Sequence, residues 1–336
     1  MRVGIIGTGA IAHKHASALR NIGFEIAACA GLRPGRAREF AAKYGCPAFD
    51  DWRDVCRAPL DFVDLATFPA FRLEAVEACA AERRHVHVEK PIATDSETAR
   101  RIVAIARAAG ILLGVVSQHR FDDASIFMKR AIDAGRLGKI LQADAYVKWW
   151  RPPEYYARPE KGSWKVEGGG ALINQGIHSA DLLLWFAGPV REVSAEWQLG
   201  AVHRIESEDA VCAVLRYASG ATGVIQAATA FRPGYPERIE IHGTKGSAMI
   251  TGDKLTAWDV EDDGDPPPLA TDLASGAADP MAISLTSFER QFLDFGAAIR
   301  EGRAPVVPGE EGYRAIALVD AIYRSCRESR RVQINE

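Results

Sequence analysis

Glu89-Lys90-Pro91 closes an apolar run, and Asn174, His178 and Asp181 follow far downstream at i, i+4 and i+7. A lysine ammonium is charged at neutral pH, whereas an imidazole titrates there. If the two segments converge on one cleft, that pair supplies charge stabilisation and proton transfer to a single reaction moving a proton and a hydride. Asn174 cannot take a proton, but its amide orients His178 or a substrate hydroxyl. His85, His87 and Glu89 alternate and so share one strand face, as a two-histidine, one-carboxylate metal centre would require. No fourth ligand accompanies them and helices should cover that face, so no metal is expected. His13 and His15 point in different directions from one helix and make no ligand pair.

Elements must deliver these side chains. Arg2 to Ile6 reads as a strand, followed at once by Gly7-Thr8-Gly9-Ala10-Ile11-Ala12 and a helical pattern through Arg20. This is G-x-G-x-x-A between strand and helix: the first glycine permits the tight turn, the second lets backbone approach a pyrophosphate, and helix amides hold the phosphates. Strands over Glu25–Ala30, Phe62–Thr67, Val86–Glu89 and Ile111–Val116 alternate with helices over Arg36–Tyr44 and Arg72–Arg84 and one from a Thr94-x-x-Glu97 capping box to Gly110. Such alternation predicts a doubly wound parallel sheet of the Rossmann type, with Glu89 and Lys90 at the carboxyl ends where ligands bind. The second strand ends in Cys29-Ala30-Gly31 with no carboxylate for a ribose 2′-hydroxyl, and Arg33 or Arg36 could pair a 2′-phosphate. NADP(H) is therefore favoured, with NAD(H) possible.

Beyond Phe121 the texture changes. A helix over Ser125–Ala134 precedes strands over Leu141–Trp150, Val193–Leu199, Asp209–Tyr217, Ala221–Phe231, Arg238–His242 and Ser247–Thr251, which predict a largely antiparallel sheet. A polar, proline-rich loop is expected over Asp262–Pro268, then helices over Leu285–Arg300 and Glu310–Arg327. Gly168-Gly169-Gly170 leads into Ala171–Phe186, apolar almost all round and hence buried. On an ideal helix Asn174, His178 and Asp181 fall within roughly 60° of arc. Trp149, Trp150, Tyr155, Tyr156 and Trp164, interleaved with Arg151, Arg158 and Lys165, suit a polyhydroxylated ring that stacks its C–H surfaces and bonds through its hydroxyls.

With 336 residues, 48% apolar and 25% charged, two globular domains are the natural division. The net charge of −3 and the lack of a basic run offer nothing to nucleic acid or an anionic membrane. No apolar run is long enough to cross a bilayer and no leader pattern opens the chain, so a cytoplasmic protein is expected. Six cysteines without C-x-x-C spacing suggest free thiols.

G-x-G-x-x-A, Glu89-Lys90-Pro91, Arg120-Phe121 and Gly168-Gly169-Gly170-x-Leu172-x-Asn174-x-Gly176-x-His178-x-x-Asp181 together resemble the Gfo/Idh/MocA oxidoreductases. The resemblance implies an α/β chain: a Rossmann domain over 1–121, then a substrate-binding and oligomerisation domain over 122–336 with a large, mostly antiparallel, open-faced sheet. It implies a sugar, cyclitol or sugar-derivative substrate and a homodimer or homotetramer formed through that sheet. Catalytic roles fall to Lys90, His178 and Asn174. The dinucleotide would lie on Gly7, Thr8, Gly9, Ala10, Ile11, Gly31, Arg33, Arg36, Thr67, Phe68, Glu89 and Lys90. Substrate would meet Lys90, Arg120, Trp164, Lys165, Asn174, His178, Asp181 and Tyr235. Two departures stand out: Asn174 where the family often has aspartate, and Phe71-Arg72 where it commonly has a histidine. A sensor that binds dinucleotide and sugar without turnover is the rival reading, and retention of both Lys90 and His178 speaks against it.

Overall fold

The computed structural model describes residues 1–31, 33–261, 264, 266 and 284–334. The loop expected over Asp262–Pro268 lies outside them except for Gly264 and Pro266. Two compact units are present, Met1–Gln118 with Leu285–Tyr313, and His119–Ser284 with Arg314–Glu336.

In the first unit β1 (Arg2–Ile6), β2 (Glu25–Ala30), β3 (Ala48–Phe49), β4 (Phe62–Leu65), β5 (His85–Val88) and β6 (Leu113–Val115) form one sheet in the order β3-β2-β1-β4-β5-β6. Among the described residues every strand-to-strand pairing in this sheet is parallel. Helices α1 (Ala10–Asn21), α2 (Pro34–Tyr44), α3 (Arg53–Arg57), α4 (Arg72–Ala81) and α5 (Ser96–Ala109) supply the crossovers. Strand order reverses between β1 and β4, which opens the ligand crevice beyond their carboxyl ends. The short α3 and β3 carry too little periodicity to be read from sequence. One local expectation is corrected: α5 is capped by Asp95, whose Oδ1 accepts from Thr98 N at 2.8 Å, and not by Thr94. The Thr94 hydroxyl instead donates to Asp95 Oδ2. Gly110 ends the helix as expected, with φ +66°.

The second unit carries α6 (Asp123–Asp133) and α7 (Ile177–Ala187) with β7 (Ile140–Lys148), β8 (Val190–Leu199), β9 (Glu208–Tyr217), β10 (Thr222–Ala228), β11 (Arg238–Gly243), β12 (Gly246–Thr251), β13 (Lys254–Val260) and β14 (Val332–Gln333). The strands run β13-β12-β11-β7-β10-β9-β8-β14. Among the described residues all pairings are antiparallel except β7 with β10, which strand order in the sequence did not reveal. Ala195, Ala213, Ile225, Ala145, Ile239 and Ile250 make one cross-strand row and are all buried. The next row begins Ser194, Val214, Val224 on the opposite face, with Ser194 and Val214 exposed. Period-two alternation thus builds one covered and one open face.

Residues 285–313 group with the first unit. Helix α8 (Thr286–Glu301) belongs to the first unit, where its Phe288 and Phe292 rings meet His15 and its Phe295 ring meets Phe62. Helical periodicity shows that α8 has an apolar face but not which sheet that face covers. Helix α9 (Gly309–Glu328) follows. Among the described residues no helix is long and apolar enough to cross a membrane.

Candidate active site

The first unit gathers its candidate residues at strand ends. Gly7, directly after β1, has φ +102°, and a Cβ there would stand 2.5 Å from the Ala66 carbonyl oxygen, so the turn needs glycine. A Cβ on Gly9 would meet nothing within 4 Å, which leaves open surface beside Ala10 and Ile11 at the start of α1. At Gly31 a Cβ would lie 2.6 Å from Thr8 Oγ1. Arg33 and Arg36 are exposed around the start of α2. Thr67, just past β4 and followed by Phe68, has a buried hydroxyl with no hydrogen-bond partner among the described residues. Open space at Gly9 and an unspent hydroxyl at Thr67 fit a dinucleotide laid over the β1 and β4 ends, phosphates toward the α1 amides.

Behind that surface lies a buried charged network. His15 Nδ1 stands 2.8 Å from Asp64 Oδ2, His15 Nε2 3.4 Å from Glu89 Oε1, and His87 Nδ1 3.3 Å from Asp64 Oδ1. Burial alone would lower the His15 pKa, but the charges and hydrogen bonds of Asp64 and Glu89 outweigh it and raise the value to about 10. Burial likewise opposes ionisation of Asp64, yet His15 and then His87 bring it down to about 2. Glu89 is also lowered, its burial overcome by His15, Lys90 and Arg72. An imidazolium between two carboxylates therefore holds the residue immediately before Lys90. His85 is occupied separately, accepting from Leu112 N at 2.9 Å. Among the described residues no group of three or more His, Cys, Asp or Glu side chains is placed to hold a metal ion. Arg72, noted in the sequence only as a departure, is buried and donates to Thr67 O at 2.6 Å and, at 3.5 Å, to Lys90 O. It ties the β4 and β5 ends together.

In the second unit the glycine run leads into a π-helical turn, Leu172–Gly176, which α7 continues. The uninterrupted α-helix expected over Ala171–Phe186 is thereby corrected: Asn174 sits on the wider turn and His178 on α7, so ideal spacing does not relate them. The groups that hold this turn are remote in sequence. Glu208 is buried on β9 and accepts from Gly170 N at 2.9 Å, Leu172 N at 2.8 Å and the Tyr323 hydroxyl at 2.6 Å, while Tyr323 Oη accepts from Ile173 N at 3.3 Å. Amides at a helix start lack partners within the helix, and these two side chains satisfy three of them. The approach is too close for side chains: a Cβ on Gly170 would lie 1.9 Å from the Glu208 carbonyl oxygen, and one on Gly169 2.5 Å from Tyr323 Oη. Burial pushes Glu208 up to about 7, and the donors around it restrain a further rise.

Around that turn, Asn174 Nδ2 donates to Glu167 Oε2 at 3.1 Å, and Glu167 pairs with Lys161 Nζ at 2.5 Å. His178 meets the ring of His119 edge-on with centroids 5.1 Å apart, and His119 Nδ1 lies 2.7 Å from Asp122 Oδ2. Arg120 grips Asp181 with two parallel bonds, Nε to Oδ2 at 2.7 Å and Nη2 to Oδ1 at 2.6 Å. Both residues are buried, so Asp181 first of all anchors Arg120. Trp164 packs with Trp197 and Tyr323 and donates its indole N–H to Glu206 O, Lys165 is exposed, and Tyr235 is 58% exposed. Glu167, adjoining the glycine run, was within reach of sequence reading as a carboxylate next to a close-approach loop. Glu208 and Tyr323 had no such local signal.

Residues 1–117 match the oxidoreductase family with NAD-binding Rossmann fold, and residues 126–249 match the GFO/IDH/MocA C-terminal domain. The WlbA dehydrogenase of Bordetella pertussis, solved with NADH and UDP-GlcNAcA, is 31% identical with a TM-score of 0.88, over 100% of this chain and 99% of that one. The chain belongs to the Gfo/Idh/MocA oxidoreductases. Relatives of this Gfo/Idh/MocA protein include the myo-inositol 2-dehydrogenase of Thermotoga maritima, 28% identical over 352 residues, covering 100% of this chain and 99% of that protein. The D-apiose dehydrogenase of Paraburkholderia graminis is 28% identical over 353 residues, covering 98% and 88%. The parallel sheet and the mostly antiparallel second sheet are those the resemblance led one to expect of a Gfo/Idh/MocA oxidoreductase.

Proposed function

We propose that this oxidoreductase interconverts a secondary hydroxyl and the matching ketone on a sugar, cyclitol or sugar derivative, using NADP(H) in preference to NAD(H). The observation that carries the reading is the constrained turn at Leu172–Gly176: buried Glu208 and Tyr323 hold a glycine-led segment that presents Asn174 and leads directly to His178. Names of relatives support the substrate class, being dehydrogenases of an inositol and of apiose and one bound to a nucleotide-linked sugar acid.

In the oxidative direction His178 takes the hydroxyl proton, the carbinol carbon gives up its hydrogen with the electron pair, and the C–O bond becomes C=O. The Lys90 ammonium stabilises negative charge on that oxygen as the proton leaves. Arg120, held in one orientation by Asp181, faces substrate in this reading. A dinucleotide on Gly7, Thr8, Gly9, Ala10, Ile11, Thr67, Phe68 and Glu89 supplies the hydride acceptor. The phosphate form is favoured because β2 ends without a carboxylate and two exposed guanidinium groups, Arg33 and Arg36, stand near the start of α2. Trp164, Lys165 and Tyr235 are proposed as further substrate contacts. Assembly as a homodimer or homotetramer through the open sheet face belongs to the same proposal.

The test is a panel of inositols, aldoses including apiose, sugar acids and nucleotide-linked sugars. Each is mixed with the protein and either dinucleotide and followed at the reduced-nicotinamide absorbance band. Turnover of a polyol or sugar, faster with NADP+, is expected. No absorbance change with any compound, despite dinucleotide binding, would favour the sensor reading.

A further inference from the structure

We propose that Cys56 and Cys79 form an oxidant-sensitive dithiol, a modification site at which peroxide makes a disulfide that staples α3 to α4 at the amino edge of the parallel sheet. Their Sγ atoms stand 3.4 Å apart, and both side chains are buried. Ion pairs flank them along one seam between the two helices: Arg53 with Glu74 on one side, Arg57 Nε with Glu82 Oε1 at 3.9 Å on the other. Arg84, directly before β5, donates Nε to Cys56 O and Nη1 to Leu60 O, both at 3.1 Å, and Leu60 lies just before β4. The seam therefore sits where β4 and β5 begin, at the opposite end of those strands from Thr67 and Lys90.

A disulfide needs its sulfurs about 2 Å apart, so these must close by about 1.4 Å, a shift shared between two side chains. The order of ionisation suits the reaction. The hydrogen bond with Cys79 outweighs burial and lowers the Cys56 pKa, whereas the same bond and then burial raise Cys79 well above the ordinary thiol value. Cys56 is thus the thiolate that attacks. Its sulfur takes one peroxide oxygen as the O–O bond breaks, giving a sulfenic acid and hydroxide. The Cys79 sulfur then displaces hydroxide from the Cys56 sulfur, and the S–S bond forms. The two thiol protons leave with the hydroxides as two waters, and peroxide gains the two electrons that the thiols lose. Helix α3, with five residues, is too short to persist without its packing, so its local opening admits the oxidant. A link between positions 23 apart restrains the unfolded chain and so stabilises the fold.

The test treats the full chain with hydrogen peroxide, blocks the remaining thiols by alkylation and maps tryptic peptides by mass spectrometry. Cleavage after arginine isolates Cys56 in residues 54–57 and Cys79 in residues 73–83. These two peptides should be recovered joined, and separate again after reduction with a phosphine. The oxidised protein should melt roughly 5–10 °C higher than the reduced one. Its NADPH affinity, measured by fluorescence, should be unchanged, because the staple lies at the other end of the strands. Cys56→Ala and Cys79→Ala should each abolish both the joined peptides and the rise in Tm, and the mapping of the native protein decides the linkage even if a variant fails to fold. Recovery of both peptides separately alkylated overturns the proposal. So does Cys56 oxidised beyond sulfenic acid without a link, or a link through Cys29, Cys46 or the exposed Cys212 in its place. A fall in Tm on oxidation also counts against it. The linkage and its effect on Tm are read without any substrate, so they stand or fall apart from the dehydrogenase reading.

Discussion

Replacing His15 by leucine removes the imidazolium between Asp64 and Glu89 and leaves both carboxylates buried. The rise of the His15 pKa from 6.5 to about 10 corresponds to about 5 kcal/mol. From the other side, the fall of Asp64 from 3.8 to about 2 corresponds to about 2 kcal/mol. The larger value counts two carboxylates acting on one imidazole, the smaller a single carboxylate, so the loss should fall between them, in the range of ~3–5 kcal/mol seen when one partner of a buried pair is removed. Over a folded unit of about 150 residues that lowers Tm by roughly 5–20 °C. The sign with pH follows from the two values. The His15 contribution is fully present below pH 6.5 and is lost as pH rises through about 10. The Asp64 contribution is present above pH 3.8 and lost as pH falls through about 2. Thermal and urea unfolding at pH 5–6, where both contributions are complete, should therefore show the full deficit. Pairing His15→Leu with Asp64→Leu removes the stranded charge and should return most of the loss, with Glu89 still facing Lys90 and Arg72. A His15→Leu deficit below about 1 kcal/mol, or a double variant as unstable as the two singles combined, would refute the reasoning.

Lys90→Met should keep dinucleotide affinity within about threefold while turnover drops by about 10²–10⁴, as should His178→Asn; equal loss of binding and turnover would count against both assignments. Arg33→Ala/Arg36→Ala should lower kcat/KM for NADP+ by about tenfold or more and leave NAD+ nearly unchanged, and an unaltered cofactor ratio would remove the phosphate role. Glu208, raised from 4.5 to about 7, stabilises the fold below pH 4.5 and loses that contribution, about 3 kcal/mol, as pH rises through 7. Unfolding free energies measured from pH 5 to 8 should fall more steeply for the native protein than for Glu208→Gln, and parallel slopes would show that Glu208 does not titrate there.

Much of the scaffold was legible because its signals are short-range. Alternating strands and helices, the glycine turn after β1, the proline after Lys90 and the cap glycine at position 110 each depend on residues a few positions apart. The open face of the second sheet was expected only from the family resemblance. Reading hairpins from sequence order missed the parallel pairing, because β7 and β10 are brought together only by the strands between them.

The sequence by itself determined which chemical groups are available and which strand or helix carries each: Lys90 past an apolar strand, His178 behind three glycines, no carboxylate at the end of β2. Tertiary structure alone decided their states and orientations. Leu172 N finds Glu208 across 36 positions and Ile173 N finds Tyr323 across 150, and the turn they hold is π-helical where local propensity reads as plain α-helix. His15 becomes an imidazolium only because folding sets Asp64 and Glu89 against it, which outweighs its burial. Local propensities act between neighbours in any state of the chain, whereas burial and long-range hydrogen bonds exist only once distant segments have met, so no reading of neighbouring residues could contain them.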